Sequence, residues 1–285
     1  MASLIESKRR VASVSTTQKV IKAMEMVASS KVKKARDKAK GVEFFFDATL
    51  DALASVYNNE EMRNSIFPPE NDECTLVIAI TSDMGLCGAY NSNVNKEVVS
   101  ILDSLNSYKT IVVGKKGIGK LRYEGYTVDH SITDYSGEDE QVACDKIMEI
   151  VSQYLENQQI NNIKIVYTDF VNPIVQIVKT VDMSELTERL TTNDAVATSV
   201  TEIEPGVEEV FVVLFEVFIG GTIYSTLLQS FASEHSFRRN SMEAANKNSL
   251  ELIDKLNIEM NRIRQAMITQ EITEIIGGSE VLNKE

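Results

Sequence analysis

Towards the C-terminal end of the chain, apolar and small residues recur on one face at Ala245, Ser249, Ile253, Leu256, Met260, Ile263 and Met267. The later steps alternate three and four residues, which is the spacing of a coiled-coil seam. The enclosing segment from Thr222 to Ile276 runs 55 residues without Gly or Pro. It predicts a helical rod of roughly 80 Å at 1.5 Å per residue. Gly277-Gly278 stands where the pattern stops, as expected of a helix C-terminus. A compact domain of this size has no use for such a rod, so its purpose is expected to lie outside the chain's own core.

A second stripe lies at the other end. Ile21, Met24, Ala28, Val32, Ala35, Ala39, Val42, Phe46, Leu50, Leu53 and Tyr57 follow one another at the α-helical period. The stripe is small up to Ala39 and bulky from Phe46, predicting a close partner helix first and a thicker core afterwards. Asn58-Asn59 and Pro68-Pro69 close it. Two long helices at opposite ends of one chain pack most economically as an antiparallel coiled coil, with the middle of the chain inserted between them.

That middle alternates differently. Thr75–Ile80, Thr110–Val113, Ile163–Tyr167 and Ile174–Val181 read as strands, with helical stretches at about 91–104 and 141–157. Strands alternating with helices predict a largely parallel sheet. The last two strands, joined through Val171-Asn172-Pro173, read as an antiparallel hairpin. Residues 184–206 are polar and end in Pro205-Gly206; Val207–Ile219 is ambiguous between strand and helix from its local pattern. The expected division is a coiled-coil helix over 1–58, a Rossmann-like α/β domain over 73–205 and a coiled-coil helix over 207–285.

Charge adds an asymmetry. The 285 residues carry a net −13, yet residues 1–40 alone hold 11 Lys and Arg against 3 Asp and Glu. The row Lys31, Lys33, Lys34, Arg36, Lys38 and Lys40 reads either as a solvated helix face or as a docking face for an acidic protein. Nucleic acid is disfavoured by the acidic remainder of the chain and by the absence of aromatics among these charges. Cys74, Cys87 and Cys144 have neither disulfide nor zinc spacing, which suggests a reducing compartment. The first ten residues lack the features of a targeting peptide and no 18-residue apolar run is evident, so an untargeted soluble chain is expected.

Candidate chemistry is sparse. Gly114–Lys120 follows a strand and fits the G-x-x-x-x-G-K pattern, but Leu121 stands where a P-loop needs a hydroxyl for Mg²⁺. The loop Thr81–Gly88 leaves the first strand where α/β folds place ligands. Its Cys87 has only His130 and His235 as conceivable bases, both remote in sequence. A Rossmann-type nucleotide-binding enzyme with helical arms stays open as the alternative, and would require ATP or NAD binding by the chain itself. No cofactor and no metal are expected.

Three stretches resemble the gamma subunits of F-type ATP synthases. They are Ser13–Ala28 (SVSTTQKVIKAMEMVA), Thr81–Asn91 (TSDMGLCGAYN) and Asn261–Ile276 (NRIRQAMITQEITEII). Their order and spacing match from about residue 2 to about 282. The resemblance implies a non-catalytic central rotor shaft, with its coiled coil inside a ring of alpha and beta subunits. The Rossmann-like foot would sit beside the epsilon subunit and the ring of membrane c subunits. It implies a peripheral membrane protein on the cytoplasmic face of a bacterial plasma membrane, coupling ion translocation to ATP synthesis or hydrolysis.

Carried over residue by residue, the resemblance assigns beta-subunit contacts to Met24, Asp83, Cys87, Arg238, Arg264 and Gln265. Met84 departs from the Arg usual at its position. Gly220-Gly221 interrupts a segment that the family makes helical, where each Gly costs about 1 kcal/mol relative to Ala. The segment Val207–Ile219 is expected to be helical on this basis, and whether the glycine pair bends it is left open by the sequence. The dithiol insert of the chloroplast form is absent from the sequence.

Overall fold

The computed structural model describes residues 2–56, 74–134, 140–185 and 206–282. Tyr57, the Asn58-Asn59 and Pro68-Pro69 breaks, and residues 186–205 of the polar segment lie outside them, as do the side chains of Lys40, Phe46 and Leu50. Helix α1 spans Ala2–Val56 and β1 spans Cys74–Ile80, followed by α2 (Tyr90–Ser104), β2 (Ser107–Val113), α3 (Lys115–Tyr123) and β3 (His130–Ile132). Then come α4 (Glu140–Glu156), β4 (Asn162–Phe170), β5 (Gln176–Asp182) and α5 (Val207–Leu282). The chain divides into two compact units, Met1–Val27 with Arg239–Glu285, and Ala28–Arg238.

The smaller unit is a helix pair. Sheltered positions on α1 include Leu4, Ser7, Val11, Val14, Gln18, Ile21 and Glu25, a heptad alternation of three and four, with Ser15 and Met24 beside it. On α5 they are Met242, Ala245, Ser249, Ile253, Leu256, Met260, Ile263 and Met267, the seam expected from sequence. Only Met242 and Leu256 of this α5 face are fully buried, since two helices alone cannot enclose a seam. Gln18 donates to Asn246 across it at 2.8 Å. Residue 18 is thus level with 246, and every described side chain from 268 to 277 is exposed. The helix does not stop at Gly277-Gly278 but continues to Leu282. The glycines weaken a helix, at about 1 kcal/mol each relative to Ala, without ending it.

The larger unit is built on one five-stranded sheet of order β3-β2-β1-β4-β5. β1 pairs in parallel with β2 and β4, β2 with β3 in parallel, and β5 closes antiparallel on β4. The hairpin expectation holds. All seven residues of β1 are buried, because both faces of a parallel sheet are covered. Leu76, Ile78 and Ile80 face α4, Leu53 of α1 and the phenylalanines of α5, whereas Val77 and Ala79 face α2 and α3. This period-two split means that a one-residue slip would exchange the two cores.

Val207–Ile219 is helical, as part of α5. Phe211, Phe215, Phe218, Ile219 and Ile223 are buried while Val212, Val213 and Val217 are exposed, a 3.6-residue alternation that a strand cannot produce. The helix also runs unbroken through Gly220-Gly221, where Gly220 lies beside Met148 and its carbonyl accepts the Cys144 thiol at 3.5 Å. Contrary to the expectation of no long apolar run, α5 contains an 18-residue window apolar enough by length and composition to cross a membrane. Phe211, Phe215, Phe218 and Ile219 of this helix form part of the sheet's own core.

Near the end of the larger unit, α1 and α5 touch through small residues. Ala35 packs on Phe231 and Ala232, with Phe170 of β4 against them. Further along, Leu53 joins Phe211 and Phe215, so the two helices run antiparallel here too.

Candidate partner-contact site

The loop 81–89 leaves β1 at the point where the sheet order reverses, with β2 on one side and β4 on the other. In a nucleotide enzyme this crevice is empty and lined by free amides. Here the amides at its edge are taken by the chain itself. The Lys115 amide at the start of α3 donates to Asp83 Oδ1 at 3.0 Å, the Lys116 amide to the Ser82 carbonyl at 3.0 Å and the Gly117 amide to Thr81 Oγ1 at 3.0 Å. The amides that would cradle a phosphate are therefore occupied. Gly114 is required for another reason: its φ is 95° and a Cβ there would meet the Thr81 carbonyl oxygen at 2.5 Å. Lys120 pairs with Glu124 at 2.7 Å on the helix surface.

Cys87 is 2% exposed. Its sulfur meets Asn91 Nδ2 at 3.2 Å and Ser82 Oγ at 3.7 Å, and burial pushes the thiol pKa up. His130 is held instead by the Tyr154 hydroxyl at 2.9 Å, and His235 by Arg238. The thiol is a structural group of the loop, with neither an activating base nor a lowered pKa.

Arg238 organises the site. Its guanidinium, only 6% exposed as a residue, pairs with Glu234 Oε1 at 2.7 Å one turn back along α5. Nη2 donates to the carbonyl oxygens of Met84 and Gly85 at 3.2 and 3.3 Å. Nη1 lies 3.0 Å from His235 Nδ1. Since Arg can only donate, Nδ1 must accept, which puts the imidazole proton on Nε2. Burial, then Arg238 and Lys31, push the His235 pKa down to about 3. Burial pushes the Glu234 carboxyl up, against the opposing pull of Arg238. Above this cluster lies a cleft of about 260 Å³, lined by Lys31, Asp83, Met84, Lys115, Phe231 and His235 among others.

Asp83, Cys87 and Arg238, assigned separately from sequence, are thus brought together, with Asp83 and Arg238 lining one cleft and Cys87 behind it. What the loop shows to the outside is Met84 and Leu86, each 63% exposed, the latter at a φ of 63°. Met24 is half-buried in the smaller unit, and Arg264 and Gln265 are exposed there. Sequence reasoning missed Glu234, and named His235 only as a conceivable base for Cys87 and not as a partner of Arg238. The Glu234–Arg238 spacing of four residues on a helix was the available signal.

A family model described as ATP synthase matches residues 3–282. The chain belongs to the ATP synthase gamma-chain family. The gamma chain of Clostridium beijerinckii is 34% identical over 99% of both chains, and that of Halothermothrix orenii is 36% identical over 99% of this chain and all of its own. Among solved structures, a chain in the central stalk and c-ring of the Tetrahymena thermophila mitochondrial ATP synthase superposes with a TM-score of 0.61. It is 27% identical, over 79% of this chain and 99% of that one. A gamma chain is a central-stalk rotor subunit and not a catalytic one, in keeping with a crevice whose phosphate-binding amides are already satisfied. It works as part of a membrane-associated ATP synthase complex.

Proposed function

We propose that this chain couples ion flow to ATP chemistry by presenting different faces of its helix pair to surrounding beta subunits as it turns. The observation that carries this reading is the end of α5. Towards its end the helix keeps Arg264 and Gln265 exposed and sets Ile268, Ile272, Ile275 and Ile276 in water, uncovered by any described residue. A helix that stays apolar where it is exposed is built to be enclosed by another chain. Alpha and beta subunits form that enclosure. The epsilon subunit and c-ring meet the sheet-bearing unit, on the cytoplasmic face of a bacterial plasma membrane.

Arg264 and Gln265 then contact a beta subunit in one rotary state and release it in the next, and only such a difference can shift conformations. Met24 meets beta from the side of the helix pair. In the loop, Met84 and Leu86 make the contact, while Asp83, Cys87 and Arg238 hold the loop in shape. Arg264→Ala, losing charge-assisted bonds of about 1.5–3 kcal/mol, lowers ATPase turnover of the purified complex up to about tenfold with subunit stoichiometry intact. Unchanged turnover in an intact complex would refute the assigned role of Arg264.

A further inference from the structure

Strand β4 outlasts its inner neighbour. Its last partner on β1 is Ala79, opposite Val166, yet it continues along β5 to Phe170. Beyond Ile80 the chain turns towards β2, where the Thr81 amide donates to the Val113 carbonyl at 2.8 Å. The inner edge of β4 is thereby left without a strand after Val166. Buried backbone groups on that edge need other partners.

Helix α5 supplies them. The Thr168 amide donates to Ser230 Oγ at 3.1 Å, and Ser233 Oγ donates to the Thr168 carbonyl at 3.0 Å. A strand laid against this edge would bond the same kinds of group. Further along, Ser236 Oγ donates to the Pro173 carbonyl at 2.8 Å and accepts from Gln176 Nε2 at 3.3 Å. All three serines are fully buried, and their spacing of three residues keeps them on one face of the helix.

Hydroxyls within a helix ordinarily turn back on it. Thr222 and Thr226, buried earlier on α5, do so, donating to the Phe218 and Ile223 carbonyls, each at 2.8 Å. The serines reach another element instead. Beside them α5 meets α1 through apolar contacts, Phe231 and Ala232 on Ala35. Apolar burial is non-directional and resists turning of a helix weakly, whereas a hydrogen bond weakens steeply as its angle closes. The row lies in the last turns of α5 within the sheet-bearing unit, which ends at Arg238.

We propose that Ser230, Ser233 and Ser236 are positioning residues that key α5 to β4, fixing the helix against turning about its own axis when load passes through the sheet-bearing unit. Apolar packing holds the helix on the sheet, and the serines set its angle. This rests on the rotor reading above and adds to it a joint inside the chain, distinct from every contact with another subunit.

The test uses the assembled complex in sealed vesicles. ATP synthesis driven by imposed proton and sodium gradients loads the joint, whereas ATP hydrolysis with the gradients collapsed by ionophores leaves it nearly unloaded. Ser230→Ala combined with Ser233→Ala removes both bonds to Thr168 and is expected to lower the ratio of synthesis to hydrolysis about threefold, with subunit stoichiometry unchanged. Thr226→Val is the control, because it also deletes a buried hydroxyl, but one bonded within α5; its ratio is expected to match the unsubstituted complex. Where the double variant does not assemble, Ser233→Ala alone carries the test, with a fall of about twofold expected. Loss of assembly in that single variant as well would overturn the proposal, since the row would then be core packing and not a key. An unchanged ratio in an intact complex, or an equal fall in Thr226→Val, would overturn it while leaving the rotor reading standing. Failure of the unsubstituted chain to purify with alpha and beta subunits would overturn both.

Discussion

His235 makes the packing of the site measurable. Its Nδ1 accepts from Arg238, so protonation would set a second cation against the guanidinium in a buried place, with Lys31 of α1 nearby as a third. The folded pKa is depressed from the ordinary 6.5 to about 3. The unfolded chain therefore binds more protons between these values. The stabilisation is fully present above pH 6.5 and is lost as pH falls towards 3, at about 1.4 kcal/mol per pH unit. By pH 4.5 the loss is about 2.7 kcal/mol. His235→Gln supplies the control, because an amide oxygen can accept from Arg238, an amide nitrogen can donate, and neither titrates. Glu234, whose carboxyl burial pushes up, contributes with the opposite sign in both proteins and cancels in their difference. Urea unfolding of both full-length chains, followed by far-ultraviolet circular dichroism at pH 7.5, 6.5, 5.5 and 4.5, measures this difference. The wild type should fall relative to the variant by about 2.7 kcal/mol across the series. Parallel stability–pH curves would refute the tautomer assignment and the depressed pKa together.

Arg238→Ala strands a buried carboxylate and should cost about 3–5 kcal/mol, part of it recovered by adding Glu234→Gln, as read from urea midpoints. Gly114→Val forces a β-branched residue to a φ of 95° against the Thr81 carbonyl and should destabilise the chain by about 3 kcal/mol, whereas Gly119→Ala, with open space around it, should be neutral or slightly stabilising. Lys120→Ala removes a surface ion pair with Glu124 and a contact over the Tyr123 ring, so ATP hydrolysis by the assembled complex should stay within a few-fold of normal; abolished nucleotide binding by the isolated chain would instead revive the enzyme alternative.

Periodicity alone placed the α5 seam from Ala245 to Met267 and the strand content of the middle, because helix and strand repeats are written in the spacing of apolar residues. It also supplied β1 as a strand with no polar face and the β4–β5 hairpin. It could not decide Val207–Ile219, whose run of apolar residues satisfies both periods. The sheet settled that, by burying Phe211, Phe215 and Phe218 and leaving Val212 and Val213 outside. It did not reveal β3 either, since three residues carry no period. Nor could local glycine rules tell Gly277-Gly278 from a true stop. Family resemblance named Asp83, Cys87 and Arg238 one at a time. Their relation is a product of topology: the loop at the sheet's reversal point meets a helix turn some 150 positions away in sequence, with Arg238 to Gly85 separated by 153. Which groups are buried, which carbonyls Arg238 holds and which nitrogen of His235 keeps the proton follow from that meeting. No spacing along the chain encodes them, because hydrogen bonds and desolvation are set by distance in space.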